Sequence, residues 1–150
     1  MDVDREFLTP TATERVFNRL FGFLVGLGLG FSYNYLLQVK GRKSGKLYST
    51  PINVLELGSK RYLVAPRGRT QWVRNAEATG QVTLKRGRHS SSYRLRPVQE
   101  REKLEVLKTY LDRFRREVQR YFPVPADSPA EAFRSVADRF PAFELISSQD

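Results

Sequence analysis

Gly41-Arg42-Lys43-Ser44-Gly45, followed by Lys46 and by Ser49-Thr50-Pro51, is the chemistry-bearing stretch of this 150-residue chain. Glycines at both ends permit positive φ and expose consecutive N–H groups, while Arg42, Lys43, Lys46 and the Ser44 hydroxyl add donors and charge. A turn of this composition can hold a phosphate. On the residues alone an ordinary basic hairpin turn is an equal alternative. It is not a nucleotide-hydrolysing loop, because the GxxxxGK[ST] spacing is missing. The run Gly26-Leu27-Gly28-Leu29-Gly30 fails the dinucleotide fingerprint, since Phe31 or Tyr33 stands where the third glycine belongs.

Charge supports an anionic partner for that stretch. Between Lys40 and Arg96 there are 14 Lys or Arg against Glu56 and Glu77, a local +12 within a net +10, so the rest of the chain is slightly acidic. Nucleic acid, lipid headgroups or a small polyanionic cofactor would each suit such a surface, and a solvated basic face is the alternative. Absence of cysteine excludes disulfides, thiolate metal sites and a Cys nucleophile; the single histidine, His89, excludes paired-imidazole sites, and no metal site is expected. A cytoplasmic setting fits best.

These residues need a scaffold. The length suits one domain over 1–150. Twenty uncharged residues separate Arg19 from Lys40, but Gly22, Gly26, Gly28, Gly30 and the polar residues after them argue against a membrane span. A helix over about 12–28 is expected, with Thr11 or Thr13 as cap and Val16, Phe17, Leu20, Phe21 and Leu24 as its apolar stripe. Peripheral contact of that helix with a membrane is an alternative to packing on the core. From about 33 to 98 the pattern becomes strand-like, with turns at Gly58-Ser59 and Arg86-Gly87-Arg88, and with a short helix between Arg69 and Ala78 that Thr70 could cap. Five strands joined by turns imply an antiparallel meander closing into a small barrel, an α+β fold. Helices over about 100–139 follow: a long one from Glu100 to Tyr121, then a short one capped by Ser128 with Pro129 at its first position. A last strand is expected over about 142–146. An exposed sheet edge would have to be covered by the C-terminal helices or by a second copy in a homodimer.

The motifs Gly41-Arg-Lys-Ser-Gly45, Ser49-Thr-Pro51, Tyr62-Leu-Val-Ala-Pro-Arg-Gly68, Trp72-Val-Arg-Asn75 and Gln81-Val-Thr-Leu84, in that order, resemble the deazaflavin-dependent nitroreductase and quinone reductase family of split β-barrel proteins. The likeness covers roughly residues 33 to 100. It implies coenzyme F420, a deazaflavin on a ribityl-phosphate arm ending in carboxylates, as the partner of the basic segment. By position, Arg42, Lys43 and Ser44 would hold phosphate and tail, and Tyr48, Ser49, Thr50, Pro51, Ile52 and Asn53 would line the ring. Val64, Ala65, Pro66 and Arg67 would approach the head through their backbone, while Gln71, Trp72, Arg74 and Asn75 would close the other side. Trp72 has plain core packing as an equal alternative. Two departures concern the substrate side: Tyr48 stands where the family usually carries a basic residue, with Lys46 or Arg67 as stand-ins, and Ala65-Pro66-Arg67-Gly68 replaces a longer glycine-rich loop.

The activity so implied is hydride transfer from the reduced deazaflavin to a small electron-poor acceptor such as a quinone, enone or nitroaromatic. The chain has no acid/base pair of its own. Tyr48 is the candidate catalytic residue, a phenol able to donate a proton; Tyr93 is a second phenol, and His89 is expected to be an exposed turn residue. Flavin mononucleotide is the alternative cofactor, and a non-catalytic coenzyme carrier the alternative function. A nucleic-acid-binding barrel is disfavoured because most aromatics lie outside the strands.

Overall fold

The computed structural model describes residues 34–148, and the expected helix over 12–28 lies outside them. Six antiparallel strands, β1 (Asn34–Lys40), β2 (Leu47–Leu57), β3 (Lys60–Val64), β4 (Gln81–Arg86), β5 (His89–Pro97) and β6 (Ala142–Ser147), close into a barrel in the order β1-β2-β3-β6-β5-β4. Alternation sorts their side chains. Leu37, Val39, Ile52, Val54, Leu63, Val82, Leu84 and Leu145 fill the interior. Leu55, Tyr62, Val64 and Ala142 face outward.

That outward face is covered by α2 (Glu100–Arg113) and the chain after it, whose Tyr110, Phe114, Phe122, Phe133 and Phe140 form an aromatic cluster. Phe122 and Phe140 stack at 4.3 Å, and Tyr110 meets Phe114 edge-on at 5.0 Å. The helix expected to run unbroken to Tyr121 stops at Phe114 (φ −110, ψ 28), giving a four-residue α3 (Arg115–Val118) and a 3₁₀ turn (Gln119–Tyr121). Packing overrides periodicity here, because turning the chain at the buried Phe114 brings Phe122 back onto Tyr110. The new path is held by Arg115, which grips Asp127 with two hydrogen bonds of 2.8 and 2.6 Å, and by Gln119, which bonds Val124 and Ala126.

The helix expected after Ser128 is likewise corrected to two 3₁₀ turns, Ala130–Phe133 and Ala137–Arg139. Pro129 precedes the first in extended conformation, and no side-chain cap forms there. A polar staple fixes α2 to the barrel: Arg96 bonds Glu144 and Glu102 at 2.7 Å each, and the Tyr62 hydroxyl donates to Glu102 at 2.9 Å. The Arg96 hydrogen bond holds the Glu102 carboxyl below the usual range, and burial, then the bond to Glu102, pushes the Tyr62 phenol up to about 12.

α1 (Gln71–Thr79) closes one end of the barrel with Val73 and Ala76 buried. Thr70 sits at its N-cap position, yet the expected cap bond is absent and the buried Thr70 hydroxyl has no hydrogen-bond partner among the described residues. The helix ends where Gly80 turns left-handed (φ 73), its N–H bonding the Ala76 carbonyl.

Candidate functional site

The barrel is closed along only part of its height. β2 is eleven residues long; its first seven pair with β1 on one edge, and its last four pair with β3. Past Leu63, β3 leaves β2 and continues on β6 through Val64↔Ala142. Among the described residues, the second edge of Leu47–Asn53 therefore carries no strand. Pro51, which cannot donate to a ladder, stands in that stretch, where the lost donor is tolerated. The sheet is split here, beside the end capped by α1.

The β1–β2 hairpin projects at this split. Its loop is internally bonded: Gly41 N–H to the Lys46 carbonyl at 2.7 Å, Gly45 N–H to the Gly41 carbonyl at 3.0 Å, and Lys46 N–H to the Ser44 hydroxyl at 3.1 Å. Of the two glycines expected to take positive φ, only Gly45 does (φ 74). Gly41 instead lies close under Tyr48, since a Cβ there would come within 2.7 Å of the ring and push that side chain aside. The expected row of open N–H groups narrows to those of Lys43 and Ser44.

Arg42 is pinned. Its N–H and its guanidinium both donate to Asn75 Oδ1, at 3.0 and 2.7 Å, and the guanidinium also donates to Gln71 Oε1 at 3.0 Å. Asn75 is 4% exposed, so its carbonyl is a fixed, buried acceptor that ties the loop to α1. Lys43, Ser44 and Lys46 remain exposed, with both ammonium groups outside any ion pair among the described residues. Two mobile cations, a hydroxyl and two N–H groups on a braced turn make a donor set suited to a phosphate or carboxylate.

Strand alternation divides the expected ring-lining residues. Tyr48, Thr50 and Ile52 share the interior face with Val39, Leu37 and Tyr35, at the open edge. Ser49, Pro51 and Asn53 lie on the outer face. Gln38 donates to Ser49, and Asn53 accepts a short hydrogen bond from Asn34 and bonds the buried Tyr110, whose phenol burial pushes up. Tyr48 is 50% exposed and Leu47 58% exposed, the large hydrophobic side chains most open to water among the described residues.

The segment after β3 is also partly committed. Val64 packs under α2, and Ala65 packs with Val73 and Phe143, its N–H bonding the Pro141 carbonyl and its carbonyl accepting from Gly68. Pro66 and Arg67, which follow β3, are half-buried. Trp72 packs on the barrel interior with its ring edge-on to Phe143 at 6.3 Å, and Arg74 bonds back to the Arg69 carbonyl. The structure thus joins Arg42, Gln71 and Asn75 into one unit at the Lys43–Ser44 turn and puts Tyr48, Thr50 and Ile52 on one face of the open stretch; Ser49, Pro51, Asn53 and Val64 face elsewhere, and Ala65, Trp72 and Arg74 are held by packing or local bonds.

Tyr93 lies inside the barrel at its other end, accepting a 2.9 Å hydrogen bond from Arg61, whose guanidinium also lies over the Tyr35 ring. His89 is exposed, but as the first residue of β5, paired with Arg86, rather than within the turn expected for it. Among the described residues no group of three metal-ligating side chains occurs, and no helix is long and apolar enough to cross a membrane. Residue-by-residue reading of the sequence could not see the Arg42–Asn75 brace, because a sequence separation of 33 hides it. A buried amide on a helix that is otherwise apolar inward was the available signal.

Residues 13–124 match the sequence profile of the F420H(2)-dependent quinone reductase family. Among curated proteins no match is found. Among solved structures the chain is similar to an F420-H2 dependent reductase, FDR-A, at 19% identity and TM-score 0.53, over 76% of this chain and 94% of that one. It is also similar to a chain described as a domain-swapped dimer, at 21% identity and TM-score 0.55, covering 89% and 92%. A third likeness is HutZ, a heme storage protein from Vibrio cholerae, at 12% identity and TM-score 0.55, covering 79% and 83%. At these identities the structural matches establish the split-barrel fold.

Proposed function

This chain belongs to the F420H(2)-dependent quinone reductase family, an F420-dependent oxidoreductase with coenzyme F420 as its cofactor, and on that premise we propose that the coenzyme binds at the split beside the β1–β2 hairpin. The observation that carries this placement is the braced cationic turn at the one stretch of β2 without a second strand partner among the described residues. Lys43, Lys46, the Ser44 hydroxyl and the Lys43 and Ser44 N–H groups would hold the phosphate and the anionic tail. Arg42 would act through position, its guanidinium fixed by Asn75 and Gln71. Tyr48, Thr50 and Ile52 would border the ring on one side, and Pro66, Arg67 and Trp72 on the other.

When bound and reduced, the coenzyme supplies a hydride. The chain's own share is to orient the acceptor, to exclude water with Ile52 and Trp72, and to place the Tyr48 phenol where it can donate a proton to the acceptor's oxygen. A quinone is the acceptor we favour, with enones and nitroaromatics as comparisons. Dimerisation belongs to the same proposal: the likeness to a domain-swapped dimer, and the half-edge of β2 that no strand covers among the described residues, both support a homodimer.

The test is turnover. Reduced coenzyme F420 is mixed with the protein and menadione, and the return of the oxidised deazaflavin's absorbance is followed. Saturable turnover supports the proposal; tight binding without turnover with any acceptor class would make the chain a carrier. Tyr48→Phe should lower kcat with little change in KM, and an unchanged kcat removes Tyr48 from the chemistry.

A further inference from the structure

A cleft of about 410 Å³ lies on the side of α1 away from the hairpin, between the start of α2 and the 134–143 segment. Its size falls in the range of small-molecule sites. Val98, Leu104, Pro141 and Phe143 give it an apolar floor, and all four are buried. Three cations and three carboxylates surround that floor, and their states differ. Arg69 is spent on Glu77, and Arg134 on Glu131 outside the cleft. Lys103, half-buried, forms no ion pair among the described residues, while Glu100 and Asp138 are exposed on the rim. The ammonium is thus the cleft's half-buried cation outside any ion pair among the described residues; burial pushes its pKa down, and the Asp138 charge offsets part of that.

We infer that this cleft is a second ligand site, one that takes an amphipathic monocarboxylate: an aryl or branched-alkyl body on the Val98–Leu104–Phe143 floor and a single carboxylate on Lys103. One negative charge is the limit. With Glu77 neutralised by Arg69, Glu100 and Asp138 on the rim disfavour a polyanion such as the long anionic arm of coenzyme F420, and Trp72, which packs edge-on to Phe143, does not line the cleft. The two sites share α1 as a wall, with Glu77 on this side and the Asn75 brace on the other. The chemistry of the cleft stands whether or not the coenzyme lies at the split.

Calorimetric titration of the full chain with 2-naphthoate and with neutral 2-naphthamide tests the site. Saturable one-to-one binding of naphthoate is expected, weakened about tenfold or more by Lys103→Met, as for loss of a charge-assisted bond. Naphthamide binding should not distinguish Lys103→Met from wild type, and Lys43→Ala should leave naphthoate binding intact. Lys103→Arg keeps the charge and should retain affinity, which separates charge loss from misfolding. No saturable binding, equal affinity of wild type and Lys103→Met, or displacement of naphthoate by coenzyme F420 would each overturn the inference; the last would merge the cleft with the split without touching the reductase assignment.

Discussion

The two halves of β2 live under different rules. Val54–Leu57 lies between the barrel interior and the aromatic cover of α2, paired with β3 and packed on both faces. Leu47–Asn53 has β1 on one edge, no strand on the other among the described residues, and exposed residues at its start. One half is a wall and the other is a rim. The aromatic cover behind the first half supplies stability, so the second half and the turn before it can carry the exposed Lys43 and Lys46, an open edge and a half-exposed tyrosine without endangering the fold.

Substitutions can break that division, beginning on the packed side. Phe114→Ala deletes a ring that is 1% exposed inside the aromatic cluster and should cost about 3–5 kcal/mol in denaturant unfolding. Coenzyme affinity of the folded protein should not change; a change would mean the halves are coupled. Lys43→Ala reverses the pattern. It should weaken coenzyme F420 by about 1.5–3 kcal/mol, roughly tenfold to a hundredfold, with the unfolding midpoint within about 0.5 kcal/mol of wild type.

Asn75→Ala joins the two sides, since it removes the acceptor of the Arg42 N–H and leaves the guanidinium bonded to Gln71 alone. A loss of about 1–3 kcal/mol in stability with a parallel loss of coenzyme affinity is expected, and Asn75→Asp, which keeps an acceptor, should recover most of both. The polar staple is tested by pH. Arg96 holds the Glu102 carboxyl below its unfolded value of about 4.3, so the contribution is full above that pH and is lost as pH falls through the lower, folded value. Thermal midpoints of wild type and Glu102→Gln should converge on acidification; parallel curves would show that Glu102 is not the group responsible. The smallest effect belongs to Gly41→Ala, whose Cβ meets only the flexible Tyr48 ring and the Ser44 hydroxyl. It should shift stability by less than about 1 kcal/mol and displace Tyr48, visible as altered tyrosine resonances.

Much of the rim was readable in the chain. The glycine-bounded basic turn, the hairpins at Gly58-Ser59 and Gly87-Arg88, the short helix after Thr70 and the closing strand after Ala142 are local signals that tertiary structure did not override. What was not readable depends on residues far apart. The break at Phe114 is decided by Phe122 and Phe140 folding back. The outward turn of Asn53 is decided by Tyr110 and Asn34. Arg42, legible as a free cation, is instead a braced one, because Asn75 stands opposite it. A continuous run of ring-lining residues along one strand was never available, since alternation sends every second side chain to the other face.

The most direct measurement is a fluorescence titration of the full chain with oxidised coenzyme F420, run on wild type, Lys43→Ala and, as a control on the α2 side, Arg120→Ala, with flavin mononucleotide and a single-stranded oligonucleotide in parallel. Saturable binding of the deazaflavin, weakened about tenfold or more by Lys43→Ala and untouched by Arg120→Ala, is the predicted result. Equal affinity of all three proteins, or a preference for the mononucleotide or the oligonucleotide, would contradict it.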